Sequence, residues 1–98
     1  MNNRIQHFRI TVNGKVQGVF FRASTKAVAD QLGIRGRVRN QPDGSVYIEA
    51  EGETLALEAF LEWCHEGPEK ARVDTVSTEA GDIKNFQNFE VIKKNILW

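Results

Sequence analysis

Residues 8–40 decide the fold of this chain, and their sequence is FRITVNGKVQGVFFRASTKAVADQLGIRGRVRN. Apolar and polar side chains alternate over residues 8–12, and this period of two predicts a half-buried strand. Helical spacing of apolar residues over 23–32 predicts a helix, and alternation over 34–40 predicts a second strand. The helix is predicted to bury Ala23, Ala27, Val28 and Leu32. These patterns together predict a β-α-β unit.

The rest of the chain predicts a second half of similar design. Residues 41–44 are typical of a turn, and alternation over 46–51 predicts the partner strand of a hairpin. A helix is predicted over 54–66, followed by strands over 73–79 and 87–92 that form either two strands or two pieces of one. The order β-α-β-β-α-β predicts an α+β fold. We expect a ferredoxin-like α/β sandwich, with two helices on one face of a mostly antiparallel sheet.

Composition limits the classes of protein that the chain can represent. With 98 residues we expect one domain over 1–98, with a core over about 7–92 and a C-terminal tail over 93–98. Thirteen basic residues balance thirteen acidic ones, which argues against a nucleic-acid partner. One cysteine and two histidines argue against a disulfide, a metal site or a cofactor. Without an apolar run of membrane length, we expect a monomeric cytoplasmic protein.

Topology brings two distant polar residues together. A right-handed β-α-β crossover makes the first two strands parallel, so their C-terminal ends lie at the same end of the sheet. Arg22 begins the helix that follows the first strand, and Asn40 is the last residue of the second strand. Asn40 also has the parity of Val38, which faces the helices. We therefore expect Arg22 and Asn40 at the mouth of one site.

The segment between the first strand and the first helix has the properties of an anion site. We call residues 14–21 the glycine loop, because Gly14 and Gly18 allow close approach of the backbone to a ligand. A cation in the first turn of a helix opposes the macrodipole, so Arg22 suits a bound anion better than open solvent. The other interpretation is a solvated arginine. Asn40 is equally consistent with a water-orienting amide and with a turn residue that bonds its own backbone.

The chemistry available to this site is narrow. The glycine loop is not a nucleotide-triphosphate loop, because Val16 rather than Ser or Thr follows Gly14-Lys15. No general base, nucleophile or metal cluster accompanies Arg22 and Asn40 in the sequence. Acyl phosphates suit such a site, because the leaving carboxylate has a conjugate acid with a pKa of about 4 and needs no general acid. Positioning and charge stabilisation then suffice for phosphoryl transfer.

Two stretches of this chain resemble the signatures of a known family. Gly14–Arg22 resembles the first signature of the acylphosphatases, and Gly36–Asn40 together with Asp43–Val46 resembles the second. The resemblance spans about residues 7–92. Arg37 departs from the pattern, since many members carry an aromatic residue there.

The resemblance implies metal-free hydrolysis of acyl phosphates, which are small molecules, to a carboxylate and inorganic phosphate. It implies that Arg22 binds the phosphoryl group and that Asn40 positions the attacking water; it leaves the acceptor of the water's proton open. Backbone amides of the glycine loop would hold the phosphoryl oxygens. The residues that would supply these amides are Lys15, Val16, Gln17, Gly18, Val19, Phe20 and Phe21.

Two other functions are compatible with the same fold. One is a phosphate- or carbamoyl-phosphate-binding module without turnover. The other is an RNA-binding domain, for which Arg35, Arg37 and Arg39 would form a basic stripe on the face of the sheet opposite the helices. Cross-strand pairing of this stripe with Glu49 and Glu51 is the simpler expectation. Stacking aromatics on the central strands, which RNA-binding sheets use, are not evident.

Overall fold

The structure, a computed structural model, describes residues 4–93 as a five-stranded sheet with two helices. Its elements are β1 (Ile5–Lys15), α1 (Phe21–Leu32), β2 (Arg35–Asn40), β3 (Val46–Glu53), α2 (Thr54–Glu66), β4 (Arg72–Gly81) and β5 (Phe89–Ile92). The predicted ferredoxin-like α+β class is confirmed. Most of the predicted tail, residues 94–98, lies outside the described residues. None of the helices in the described part of the chain is long and apolar enough to span a membrane.

The sheet has the strand order β4-β1-β3-β2-β5. β1 pairs with β3 and β4, and β2 pairs with β3, in antiparallel orientation, whereas β2 and β5 are parallel. The last two predicted strands are therefore separate strands at opposite edges, not pieces of one. Val12 of β1 and Asn40 of β2 both pair with Val46 of β3, so the C-terminal ends of β1 and β2 lie at one end of the sheet, as predicted.

The core lies between the helices and one face of the sheet. Ile10, Val38 and Ile48 from three neighbouring strands are fully buried there. The prediction for α1 is confirmed in part: Val28 and Leu32 are half-buried and pack against the core, but Ala23 and Ala27 are exposed. The fully buried residues of α1 are Phe21, Thr25 and Ala29. Thr25 can be buried in the core because its hydroxyl donates a hydrogen bond to the Phe21 carbonyl at 2.7 Å, so the polar hydroxyl is paired within the helix.

The opposite face of the sheet, which we call the outer face, is partly covered by residues 82–88, the covering segment. His7, Glu49 and Glu51 are buried on this face. The backbone N–H groups of Lys84 and Phe86 donate to the Glu51 carboxylate, and the Phe86 ring stacks on the His7 ring.

Pairing of the basic stripe with Glu49 is confirmed, whereas Glu51, the other predicted partner, accepts hydrogen bonds from the covering segment and contacts His7. Arg37 Nε lies 2.7 Å from Glu49 Oε1, and Arg39 lies over the Tyr47 ring.

Candidate active site

A cleft lies where β1 and β2 end, and it has two parts. The apolar part, of about 270 Å³, is lined by Val16, Gly18, Phe20, Phe21, Ala23 and Val91. The polar part is lined by Gln17, Gln41, Pro42 and Ile92. Both parts are also lined by Arg22, Asn40 and Lys93, which stand where the two parts meet. The structure thus brings Arg22 and Asn40 together, as topology predicts.

Arg22 is oriented by the edge strand β5. Its Nη1 donates to the Ile92 carbonyl at 2.9 Å, and four residues further along α1 the Lys26 ammonium donates to the Phe89 carbonyl at the same distance. These two bonds fix the first turns of α1 against β5. One guanidinium N–H serves as an anchor, and within residues 4–93 the remaining donors of the planar group are available to oxygen atoms in the cleft.

The glycine loop presents a row of free backbone donors. Among residues 4–93, no carbonyl accepts a hydrogen bond from the backbone N–H groups of residues 17–20. The first backbone bond of α1 runs from Ser24 N to Phe20 O, so the amides at the start of the helix are also outside the helical ladder. Four adjacent N–H groups next to a helix N-terminus favour an anion.

Left-handed conformations shape this row of donors. Gly18 has φ 74°, which glycine adopts without a steric penalty. Phe20, the N-cap of α1, has φ 63°, which is unfavourable for an aromatic residue. Phe20 has no side-chain cap bond. The sequence did not predict this conformation at Phe20, because phenylalanine is not a residue that favours it.

The first part of the glycine loop is not a loop. Gly14 and Lys15 belong to β1, where Lys15 pairs with Arg72 of β4. The register shifts between Asn13 and Gly14, and a side chain on Gly14 would meet the Arg72 carbonyl at 2.1 Å. Gly14 therefore admits a bulge that bends β1, and the irregular segment begins at Val16. Val19 is buried beneath this segment.

Asn40 contributes a buried acceptor to the cleft. It is the last residue of β2, as predicted, and its Oδ1 atom is buried without a hydrogen-bond partner among the described residues. Buried polar atoms are normally paired, so an unpaired carbonyl oxygen beside an arginine is an unusual arrangement. It suits a group that accepts a hydrogen bond from a transient ligand such as water.

Two residues that the sequence analysis did not assign a side-chain role also shape the cleft. Gln17 Nε2 donates to the carbonyls of Gln41 and Ser45, each at 2.8 Å, and thereby ties the glycine loop to the turn after Asn40. Lys93 brings a second cation to both parts of the cleft. No sequence pattern marks either role, because both depend on contacts between distant segments.

Other reactive residues lie away from the cleft. Burial raises the pKa of the Cys64 thiol to about 12, so this cysteine is not a nucleophile at neutral pH. Thr25 is engaged within α1 and cannot serve the anion site. Within residues 4–93 no three His, Cys, Asp or Glu side chains are grouped to hold a metal ion.

The fold is that of a small α+β protein whose cleft presents backbone N–H donors and an arginine, and comparisons with known proteins specify its class. The sequence profile of the acylphosphatase family matches residues 8–91. An acylphosphatase of Marinobacter nauticus is 57% identical over 75 residues, covering 76% of this chain and 82% of its own.

Solved structures agree with this assignment. An acylphosphatase from Coxiella burnetii has a TM-score of 0.88 at 38% identity, covering 92% of this chain and 94% of its own. Acylphosphatase from Bacillus subtilis has a TM-score of 0.87 at 34% identity, covering 89% and 98%. The chain belongs to the acylphosphatase family, which confirms the predicted family and enzyme class.

Proposed function

We propose that this chain hydrolyses acyl phosphates through Arg22 and Asn40, with the amides of the glycine loop as the binding site of the phosphoryl group. One observation carries the proposal. Arg22 and Asn40 line the same cleft at one end of the sheet. Within residues 4–93, the buried Oδ1 of Asn40 and the backbone N–H groups of residues 17–20, at this same end, have no hydrogen-bond partner.

The phosphoryl group is held by charge and by amide donors. In phosphoryl transfer, negative charge is spread over the three equatorial oxygens of the transition state. Amide N–H groups of the glycine loop, the start of α1 and the free donors of Arg22 surround these oxygens. Because the Ile92 carbonyl already orients the guanidinium, little reorganisation is needed during the reaction.

The attacking water is held by Asn40. The Oδ1 atom accepts a hydrogen bond from the water and so aims the water oxygen at phosphorus. The P–O bond to water forms, and the bond between phosphorus and the carboxyl oxygen breaks with its electron pair left on the carboxylate. In balance, R–CO–OPO₃²⁻ and H₂O give R–COO⁻ and H₂PO₄⁻, so both water protons end on the phosphate. No added metal or general acid is required, because carboxylate is a good leaving group.

The test is hydrolysis of acetyl phosphate and benzoyl phosphate with a chelator present. We expect turnover by the native chain. Arg22→Ala should abolish phosphate inhibition and lower kcat/KM by about a thousandfold, which corresponds to about 4 kcal/mol of lost transition-state stabilisation. Asn40→Ala should lower kcat by about a hundredfold or more with the inhibition constant of phosphate nearly unchanged.

Two substitutions of exposed residues serve as matched controls for Arg22→Ala and Asn40→Ala. Arg72→Ala removes an exposed arginine paired with Asp74, and Asn88→Ala removes an exposed amide side chain; both should retain native activity. Activity that needs added magnesium, or that survives both Arg22→Ala and Asn40→Ala, would contradict the mechanism. Phosphate binding without any turnover would instead indicate the binding module.

The other expectations from sequence remain part of this proposal. We take residues 1–98 as one domain that works as a monomer in the cytoplasm and binds no nucleic acid. The outer face supports the absence of nucleic-acid binding, because its Phe86 and Tyr47 rings lie under Arg37 and Arg39 and do not offer an open surface for base stacking. Size-exclusion chromatography with light scattering tests the oligomeric state. RNA binding at low salt would count against the proposal.

A further inference from the structure

The acyl half of the substrate has no contact assigned in the proposed reaction, and the apolar part of the cleft lies next to the phosphoryl site. This part is bordered by Arg22 and Asn40, which stand at the junction with the polar part. The acyl carbonyl is joined to phosphorus through a single oxygen atom. A phosphoryl group held by Arg22 therefore places the acyl group within reach of one of the two parts of the cleft.

Phe20 is the most unusual residue of the apolar part. Its side chain is 79% exposed although it is one of the largest apolar residues of the chain. Its backbone has φ 63°, a conformation that bulky residues rarely adopt. Strained backbone of this kind concentrates at ligand sites. Exposure and strain thus occur together at one residue, and that residue lines the cleft.

The backbone fixes where the Phe20 side chain leaves the helix. Phe20 is the N-cap of α1, and its carbonyl accepts the first backbone bond of the helix from Ser24 at 3.0 Å. Arg22 follows two positions later in the same turn. The ring is therefore carried on the same rigid helix start as the guanidinium, with Ala23 and Val91 as apolar neighbours in the lining.

We propose that Phe20 is a specificity-determining residue that binds the acyl group, so that the enzyme favours acyl phosphates with an aromatic acyl group over short ones. This inference rests on the proposed function. An aromatic acyl group offers a planar face to the exposed ring, and contact between two rings stabilises a complex beyond its buried area. Acetyl phosphate has too little apolar surface to use this contact.

The experiment compares benzoyl phosphate with acetyl phosphate in the native chain, Phe20→Ala and Phe20→Trp. Phe20→Ala keeps the backbone amide and a Cβ atom, so the glycine loop is retained. We expect KM for benzoyl phosphate to rise about three- to tenfold at nearly constant kcat. The rise for acetyl phosphate should be smaller, so that the ratio of kcat/KM for benzoyl phosphate to kcat/KM for acetyl phosphate falls. Phe20→Trp should restore the native KM for benzoyl phosphate.

Leu55→Ala is the matched control, because Leu55 is 76% exposed and lies at the start of α2, at the opposite end of the sheet. It should change neither substrate's constants. Equal effects of Phe20→Ala on both substrates, or none, would overturn the inference while leaving the hydrolysis intact. If the enzyme instead prefers an acyl phosphate that carries a carboxylate on its acyl group, the inference is overturned, and Lys93 rather than Phe20 determines the specificity. If the native chain hydrolyses neither substrate, the proposed function itself fails.

Discussion

At the scale of single residues, the cleft depends on side chains that orient other side chains. Arg22 is aimed by a carbonyl from β5, and the glycine loop is tied to the turn after Asn40 by the side chain of Gln17. Both contacts join segments that are distant in the sequence. The position of the two candidate catalytic groups relative to each other is thus a product of tertiary contacts, not of the local signatures.

Gln17→Ala tests this positioning role. Loss of both side-chain bonds frees the glycine loop from the turn, so we expect kcat for acetyl phosphate to fall about tenfold or more, since small displacements of reacting groups are costly. Far-ultraviolet circular dichroism should stay native. Gln31→Ala, an exposed glutamine on α1, is the control and should keep native kcat. An unchanged kcat in Gln17→Ala would contradict the positioning role.

Phe20→Gly tests the strain at the N-cap of α1. Glycine adopts φ near 63° without the steric penalty, so Phe20→Gly should be more stable than Phe20→Ala by about 1 kcal/mol. Urea unfolding of the two variants at equal pH gives this difference directly, because both lack the ring. Equal stability of the two variants would show that the left-handed conformation is not strained.

At the scale of elements, the covering segment is attached to the sheet mainly by one buried carboxylate. Glu51 accepts hydrogen bonds from the backbone of Lys84 and Phe86 and contacts the His7 ring at 2.8 Å. Lys84 also pairs with Glu49 at 2.8 Å. These bonds explain how residues without periodic apolar character are held against the outer face.

Glu51→Gln tests this attachment. Glutamine keeps the size of the side chain but has an NH₂ group in place of one carboxylate oxygen. A buried N–H group that faces this NH₂ group loses its hydrogen-bond acceptor. We expect the free energy of unfolding to fall by about 2 kcal/mol and hydrogen exchange of the Lys84 and Phe86 amides to accelerate. Glu53→Gln, at an exposed position, should leave both unchanged. Retained protection of these amides in Glu51→Gln would contradict the attachment.

The elements differ in how far the sequence predicts them. Strict alternation predicts β2 and β3 closely, and it also predicts that Asn40 ends β2. The buried face of α1 was predicted only in part, because Thr25 satisfies its hydroxyl within the helix and is buried like an apolar residue. The covering segment and the left-handed Phe20 could not be predicted, since neither has a local pattern. That Arg22 and Asn40 line one cleft could be predicted, because the topology brings the C-terminal ends of β1 and β2 to one end of the sheet.

At the scale of the whole molecule, the buried carboxylates link stability to pH. Burial raises the pKa of Glu49, but hydrogen bonds from Lys84 and Arg37 outweigh it and hold the pKa below its ordinary value of 4.5. For Glu51 burial acts the same way, and hydrogen bonds from the Lys84 backbone, His7 and the Phe86 backbone outweigh it. A lowered pKa in the folded state means that the unfolded state binds more protons near this pH.

Acid should therefore destabilise the folded chain by protonating the carboxylates of Glu49 and Glu51. Their contribution is fully present above about pH 5 and is lost as the pH falls below the unfolded pKa of about 4.5 toward the lower folded values. The free energy of unfolding measured in urea should be lower at about pH 3.5 than at about pH 7. In the double variant Glu49→Gln, Glu51→Gln this free energy should depend much less on pH. An equally steep profile in the double variant would assign the acid sensitivity to other carboxylates.

The bond between Arg22 and the Ile92 carbonyl spans 70 positions of the chain. Arg22, Asn40 and the whole glycine loop leave the ribosome long before β5 does. A nascent chain that ends before residue 89 contains every proposed catalytic group but not the strand that orients the arginine. Onset of turnover during synthesis would therefore report the docking of the last strand.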